Sequence, residues 1–151
     1  MGPSQTKAAQ LRARLAMPRM LRIPGVADGF SARAAEEQGF EAVYVGGGIS
    51  AGVNLGLPDM GIMNPSQQIA FASRLAHLIS IPLVMDLDDA GGTPIRVRQA
   101  VIDAENAGIA AVHIEDTNFS LGRHFPPAPG TAGHVDYPEP VLSGVRINLL
   151  G

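Results

Sequence analysis

Residues 35–45 read Ala35-Glu-Glu-Gln-Gly39-Phe-Glu-Ala-Val-Tyr-Val45, and residues 104–114 read Ala104-Glu-Asn-Ala-Gly108-Ile-Ala-Ala-Val-His-Ile114. Ala, Glu, Gly, Ala and Val recur in identical places, with Gly39 and Gly108 69 positions apart. Each copy is a helix end, a glycine and a strand, and the glycine suits the left-handed turn that stops a helix. The spacing equals two βα units of about 35 residues each, a normal size for such a unit.

Working outward, Ile23 to Ala27 reads as a short first strand, and Ser31 as the cap of a helix ending near Gln38. Phe40 to Gly46 is the second strand. Asn64-Pro65, with Gln67 at the third helical position, is a capping-box start for a helix to about Ile79. Ile81 to Asp88 is the third strand. Thr93-Pro94 opens a helix to about Ala107, and Ile109 to Asp116 is the fourth strand. Alternating strands and helices predict parallel strands with right-handed crossovers. A helix from Gln5 to Met17, packed through Ala8, Leu11 and Leu15, precedes them. After Phe119, Pro126-Pro127-Ala-Pro129-Gly130 breaks the pattern, leaving residues 120–151 as an irregular tail with room for a short strand at Val145 to Leu150.

Length and composition fit one domain: 151 residues, 46% hydrophobic and 17% charged, enough apolar matter to bury a core. A net charge of −3 offers no basic field for nucleic acid, and no apolar run approaches a membrane span. With no cysteine there is no disulfide, thiolate zinc site or thiol nucleophile. Lys7, Arg12, Arg14, Arg19 and Arg22 all precede the first acid, Asp28. The expected location is the cytoplasm, with a mitochondrial one left open by this Arg-rich, acid-poor start.

The third and fourth strands end in acids: Asp86, Asp88 and Asp89 on one, Glu115 and Asp116 on the other, five of the fourteen in the chain. Strand alternation places Asp86 and Asp88 on one face with Val84, and Glu115 with His113 and Ala111. Parallel neighbouring strands deliver these groups to one edge, where βα enzymes put their chemistry. Clustered carboxylates repel unless a cation lies between them, and a hard divalent ion suits oxygen ligands. The competing reading, acids that merely cap the next helix, is weakened because Thr93 already supplies a cap. His113 lies on the acidic face, though a strand histidine is more often a satisfied interior group. The segment Gly46-Gly47-Gly48-Ile49-Ser50-Ala51-Gly52 reads either as a flexible turn or as a loop whose N–H groups reach a carboxylate or phosphate. It also mimics a dinucleotide fingerprint, but Asn54-Leu-Gly-Leu-Pro58 is expected to break the helix that should follow.

Together these residues resemble the isocitrate lyase/phosphoenolpyruvate mutase superfamily. The resemblance runs from about residue 8 to 119. It is carried by Pro24-Gly25-Val-Ala-Asp28 with Ser31-Ala-Arg33, by Glu37-x-Gly39-Phe-Glu-Ala-Val-Tyr44, and by Leu55-Gly-Leu-Pro-Asp59. It is carried most by Asp86-Leu-Asp88-Asp89-Ala-Gly-Gly92, which resembles the family's Asp-Ala-Asp-Thr-Gly-Tyr-Gly, and by His113-Ile-Glu115-Asp116 at the next strand end. The resemblance implies an α/β fold forming part of a (β/α)8 TIM barrel: about four parallel strands in residues 1–119, with the chain truncated after the fourth.

It further implies a Mg²⁺- or Mn²⁺-assisted lyase acting on a small 2-oxo or 2-hydroxy carboxylic acid through a stabilised enolate. A homo-oligomer is expected, because four open strands would expose apolar edges and faces. By resemblance Asp86, Asp88 and Glu115 hold the metal directly or through water, Gly47, Gly48 and Ile49 line the substrate carboxylate, Asp59 supports the site, and His124 echoes a catalytic histidine. The family usually has Ser where Gly47 stands, and Asp89 and Gly91 replace Thr and Tyr. The lyases' Lys and Cys are replaced within Phe119-Ser-Leu-Gly-Arg-His124, so isocitrate-type cleavage is expected to be impaired. A non-catalytic scaffold of the same family, self-associating through exposed strands and faces, is the alternative, and a nucleotide-binding domain the third reading.

Overall fold

The structure is a computed structural model that describes residues 6–59, 61–115 and 145–149. The elements are α1 (Lys7–Leu15), α2 (Gly29–Glu37), β1 (Val43–Val45), α3 (Gly47–Leu55), α4 (Pro65–Leu78), β2 (Leu83–Asp86), α5 (Pro94–Asn106), β3 (Ala111–Glu115) and β4 (Val145–Leu149). They form one sheet of order β1-β2-β3-β4. β1 pairs parallel with β2, and β2 parallel with β3, while β4 runs antiparallel along the outer side of β3.

The expected repeat is borne out in detail. Gly39 and Gly108 both adopt left-handed backbone, with φ of 81° and 79°, and each is followed within a few residues by β1 or β3. A side chain at either position would be strained. The expected first strand contracts to one parallel bridge between Gly25 and Tyr44, made by Val26 N–H to Tyr44 O (2.8 Å) and Tyr44 N–H to Pro24 O (2.9 Å). Pro24 has no N–H to extend the ladder. Three parallel strands and a bridged segment therefore stand where four strands were expected, and the fourth strand of the sheet comes from the tail.

The sheet separates two apolar layers. Val43, Val45, Leu83, Met85, Leu87 and Val112 face α2, α4 and α5, meeting Ala32, Ala35, Phe71, Ala72, Leu75, Ala100 and Ala104. Each large side chain removed from water contributes roughly 1.5–3 kcal/mol, so this layer is the main source of stability. On the other face Ala42, Val84, Ala110 and Ala111 meet Leu11 of α1, with Tyr44 packed alongside. Lys7 donates to the carbonyls of Ala76 and, at 2.7 Å, Ile79, fastening α1 to the end of α4. Leu15, expected to pack with Ala8 and Leu11, is instead exposed, because the helix ends there and turns its last residue outward.

Several local expectations change. Asp28, not Ser31, caps α2; Ser31 completes the reciprocal box from the third helical position. Asn64 and Gln67 form the expected box at α4. Thr93 occupies the cap position of α5 but its side chain makes no capping hydrogen bond. The Gly46–Gly52 stretch is not a loop. It begins α3, which runs through Asn54 and stops at Gly56 in the left-handed conformation (φ 65°).

Candidate functional site

The site is built at the C-terminal ends of β1, β2 and β3. Asp86 closes β2 with its side chain buried, on the same face as Tyr44 and His113, its β3 register partner. Strand alternation then fails one step later. β2 ends at Asp86, and Asp88 lies in a turn with φ of 52°, followed by left-handed Ala90, Gly91 and Gly92. An aspartate tolerates that region better than most residues because its short side chain bonds locally. Asp88 is nonetheless brought beside Asp86: its N–H donates to Asp86 Oδ1 at 3.0 Å. Asp89 does not join the cluster; its carboxylate accepts from Gly91 N–H at 2.9 Å and fixes the turn.

The N-terminus of α3 meets these acids. Gly47 N–H donates to Asp86 Oδ2 at 3.2 Å, a contact favoured by the positive end of the helix dipole. A methyl group placed on Gly47 would lie 3.2 Å from Asp88 Oδ1, 3.4 Å from Asp59 Oδ1 and 3.4 Å from Asp86 Oδ2. Three carboxylates thus converge on one small space that exists because residue 47 has no side chain. Asp59 reaches it by lying against Gly48, whose own methyl would sit 3.2 Å from Asp59 Cβ.

Of the residues expected to bind metal, the structure brings Asp86 and Asp88 together. Glu115, half-buried, is tied in through the backbone, its N–H donating to Asp88 O at 2.7 Å. Gly47 and Gly48 lie at the cluster, while Ile49 points toward Gly25, 3.8 Å from where a methyl there would be. His124 lies outside the described residues. Among the described residues no group of three acids or histidines is arranged to enclose a cation unaided. The donor set fits a hard divalent ion held by one or two carboxylates that keeps its waters, the usual state of Mg²⁺ in proteins. Asp86 and Asp88 would hold it, with Asp59 and Glu115 behind them.

Two participants were not found in the sequence. Tyr44 shares the face of Asp86, and its hydroxyl lies 2.8 Å from His113 Nδ1. Burial first, then the charges of Asp86 and Glu115, hold its hydroxyl well above the usual tyrosine range, so it stays protonated. The signal was present: Tyr44 and His113 occupy equivalent positions in the two repeats. His113 is only half satisfied, since Nε2 is buried with no hydrogen-bond partner. Gln68 of α4 is 2% exposed; its Nε2 donates to Asp88 Oδ2 at 2.7 Å while its Oε1 is buried without a partner. It was visible as a polar break in the stripe formed by Phe71, Ala72, Leu75 and Ala76. Each unpaired polar atom costs about 1–3 kcal/mol, a cost concentrated here beside the acids.

Comparison with known proteins bears on the family and the fold. The phosphoenolpyruvate phosphomutase family model matches residues 11–134. A probable 2-methylisocitrate lyase of Corynebacterium glutamicum is 33% identical over 145 residues, 96% of this chain but 44% of that protein. Oxaloacetate acetylhydrolase superposes with a TM-score of 0.73 at 33% identity, covering 77% of this chain and 42% of that one. Phosphonopyruvate hydrolase, solved with oxalate and Mg²⁺, gives 0.70 at 30% identity, covering 76% and 40%. The chain therefore spans less than half the length of these relatives, and its α/β architecture corresponds to part of their barrel-like fold. By sequence and fold alike, this chain belongs to the phosphoenolpyruvate mutase/isocitrate lyase superfamily.

Proposed function

We propose that the chain carries the cation- and oxo-acid-binding part of an enzyme that breaks or forms a carbon–carbon or carbon–phosphorus bond in a small 2-oxo or 2-hydroxy acid. The convergence of Asp86, Asp88 and Asp59 on the space beside Gly47 carries this reading. When bound, a hard divalent cation supplies Lewis-acid stabilisation for charge developing on a 2-oxo acid's oxygen. The chain's own residues do the rest. Asp86 and Asp88 hold the cation's side of the site. Gly48 and Ile49 lie in the first turn of α3, where backbone N–H groups have no intrahelical acceptor. They are placed to take a substrate carboxylate, and the missing side chain at Gly47 leaves it room. Tyr44 keeps a proton on Oη at neutral pH, with His113 Nδ1 beside it, and is the group positioned to donate one.

The relatives named above act on, or are solved with, acids of this class, which supports the substrate proposal. Turnover is expected to be low, because the Lys and Cys of the lyase loop are replaced. Melting in the presence of Mg²⁺ or Mn²⁺ tests the reading. A ligand at a hundredfold excess over its Kd stabilises by about 2.7 kcal/mol, which raises Tm by roughly 5–10 °C for a chain of this size. The Asp86→Ala/Asp88→Ala double variant should lose that rise. Wild-type melting that ignores both metals would remove the site.

A further inference from the structure

We infer that Gln68 is a positioning residue for the cation: its amide fixes Asp88 through Nε2 and presents Oε1 as an acceptor for a water of the cation's shell. This rests on the proposed reading that the acid cluster takes a divalent cation. The amide cannot be turned end for end, because Oε1 would then face the Asp88 carboxylate oxygen now receiving Nε2 at 2.7 Å. Amide geometry separates the two ends by little more than 2 Å, so Oε1 lies within about 5 Å of Asp88 Oδ2.

A glutamine amide offers two donor hydrogens and one strong acceptor. Here one donor is used and the acceptor is buried without a partner. The rest of α4's buried face is apolar or small, at Ile69, Phe71, Ala72, Leu75 and Ala76. A side chain required only to fill that face would be apolar too. The side chain present instead spends its donor on a carboxylate of the cluster and holds an acceptor open beside it. Water bound to a hard cation is a strong donor, and carboxylates oriented by outer partners bind metal more tightly than unoriented ones.

The test measures Mn²⁺ affinity from the free-ion signal in electron paramagnetic resonance, for wild type, Asp86→Ala/Asp88→Ala and Gln68→Met. Methionine keeps the length and removes both hydrogen-bonding ends. Wild type should bind, the double aspartate variant should not, and Gln68→Met should bind about ten- to a hundredfold more weakly, as outer-partner losses do. Wild type that fails to bind overturns the cation reading, and this inference with it. Wild-type binding with Gln68→Met within twofold of it overturns this inference alone. Should Gln68→Met fail to fold, Mg²⁺ titration of ¹⁵N-labelled wild type replaces it. The Gln68 side-chain NH₂ resonance should shift in step with binding, and a resonance that stays fixed at saturation overturns the role.

Discussion

Tyr44 shows how much a single hydroxyl can be asked to do. It lies 2.8 Å from His113 Nδ1 and keeps its proton because burial and the nearby charges of Asp86, Glu115 and Asp88 all disfavour the phenolate. Its pKa is raised in the fold, so the unfolded chain releases this proton first, near pH 10. The stability it contributes is whole below pH 10 and is lost as pH climbs through the folded value. Urea denaturation between pH 8 and 11.5 should therefore show wild type losing stability more steeply above pH 10 than Tyr44→Phe; equal slopes would contradict the assignment. At this scale the sequence was legible where chemistry and position coincide, as at Asp86, an acid ending an apolar strand. It was misleading at Asp88, which reaches the cluster through a left-handed turn that alternation does not describe. It gave only a faint signal at Gln68, since one polar break in the apolar stripe of an amphipathic helix is ordinarily unremarked.

The helix starts make the same point for elements. Asn64 and Thr93 both precede a proline, and both read as caps. Only Asn64 closes a box, with its oxygen accepting from Gln67 N–H at 3.0 Å and Gln67 returning a bond to Asn64 N–H. Loss of such a cap costs about 1 kcal/mol. Asn64→Ala should lower unfolding free energy in urea by about that amount, and Thr93→Ala should change it by less than half as much. A large Thr93→Ala effect would mean that its hydroxyl acts in some other way. α3 escaped detection because Gly47, Gly48 and Gly52 are poor helix formers, and tertiary packing of Ser50 and Ala51 decides its conformation instead. The first strand was overestimated because its apolar residues are genuine but Pro24 limits its ladder. The repeat, by contrast, was readable because two copies constrain each other.

Across the whole molecule, apolar side chains remain in water: Phe30 is 89% exposed, Met20 85% and Ile95 73%. Such groups favour association where they join into a contiguous patch. We propose a homo-oligomer on this ground, and light scattering coupled to size exclusion should give a mass at least twice that of one chain. A monodisperse monomer would oppose it. The same experiment bears on the non-catalytic scaffold, which requires self-association without substrate turnover.

Tyr44, Asp86 and His113 draw on β1, β2 and β3 in turn and share one face of the sheet. A one-residue slip of β2 would exchange Asp86 for Met85, because successive side chains point to opposite faces. Tyr44 and His113 would then meet a thioether, and Asp86 would enter the apolar layer against the helices. These three side chains therefore also proofread the pairing of the sheet, so that a misaligned chain forfeits both the acid cluster and its stability together.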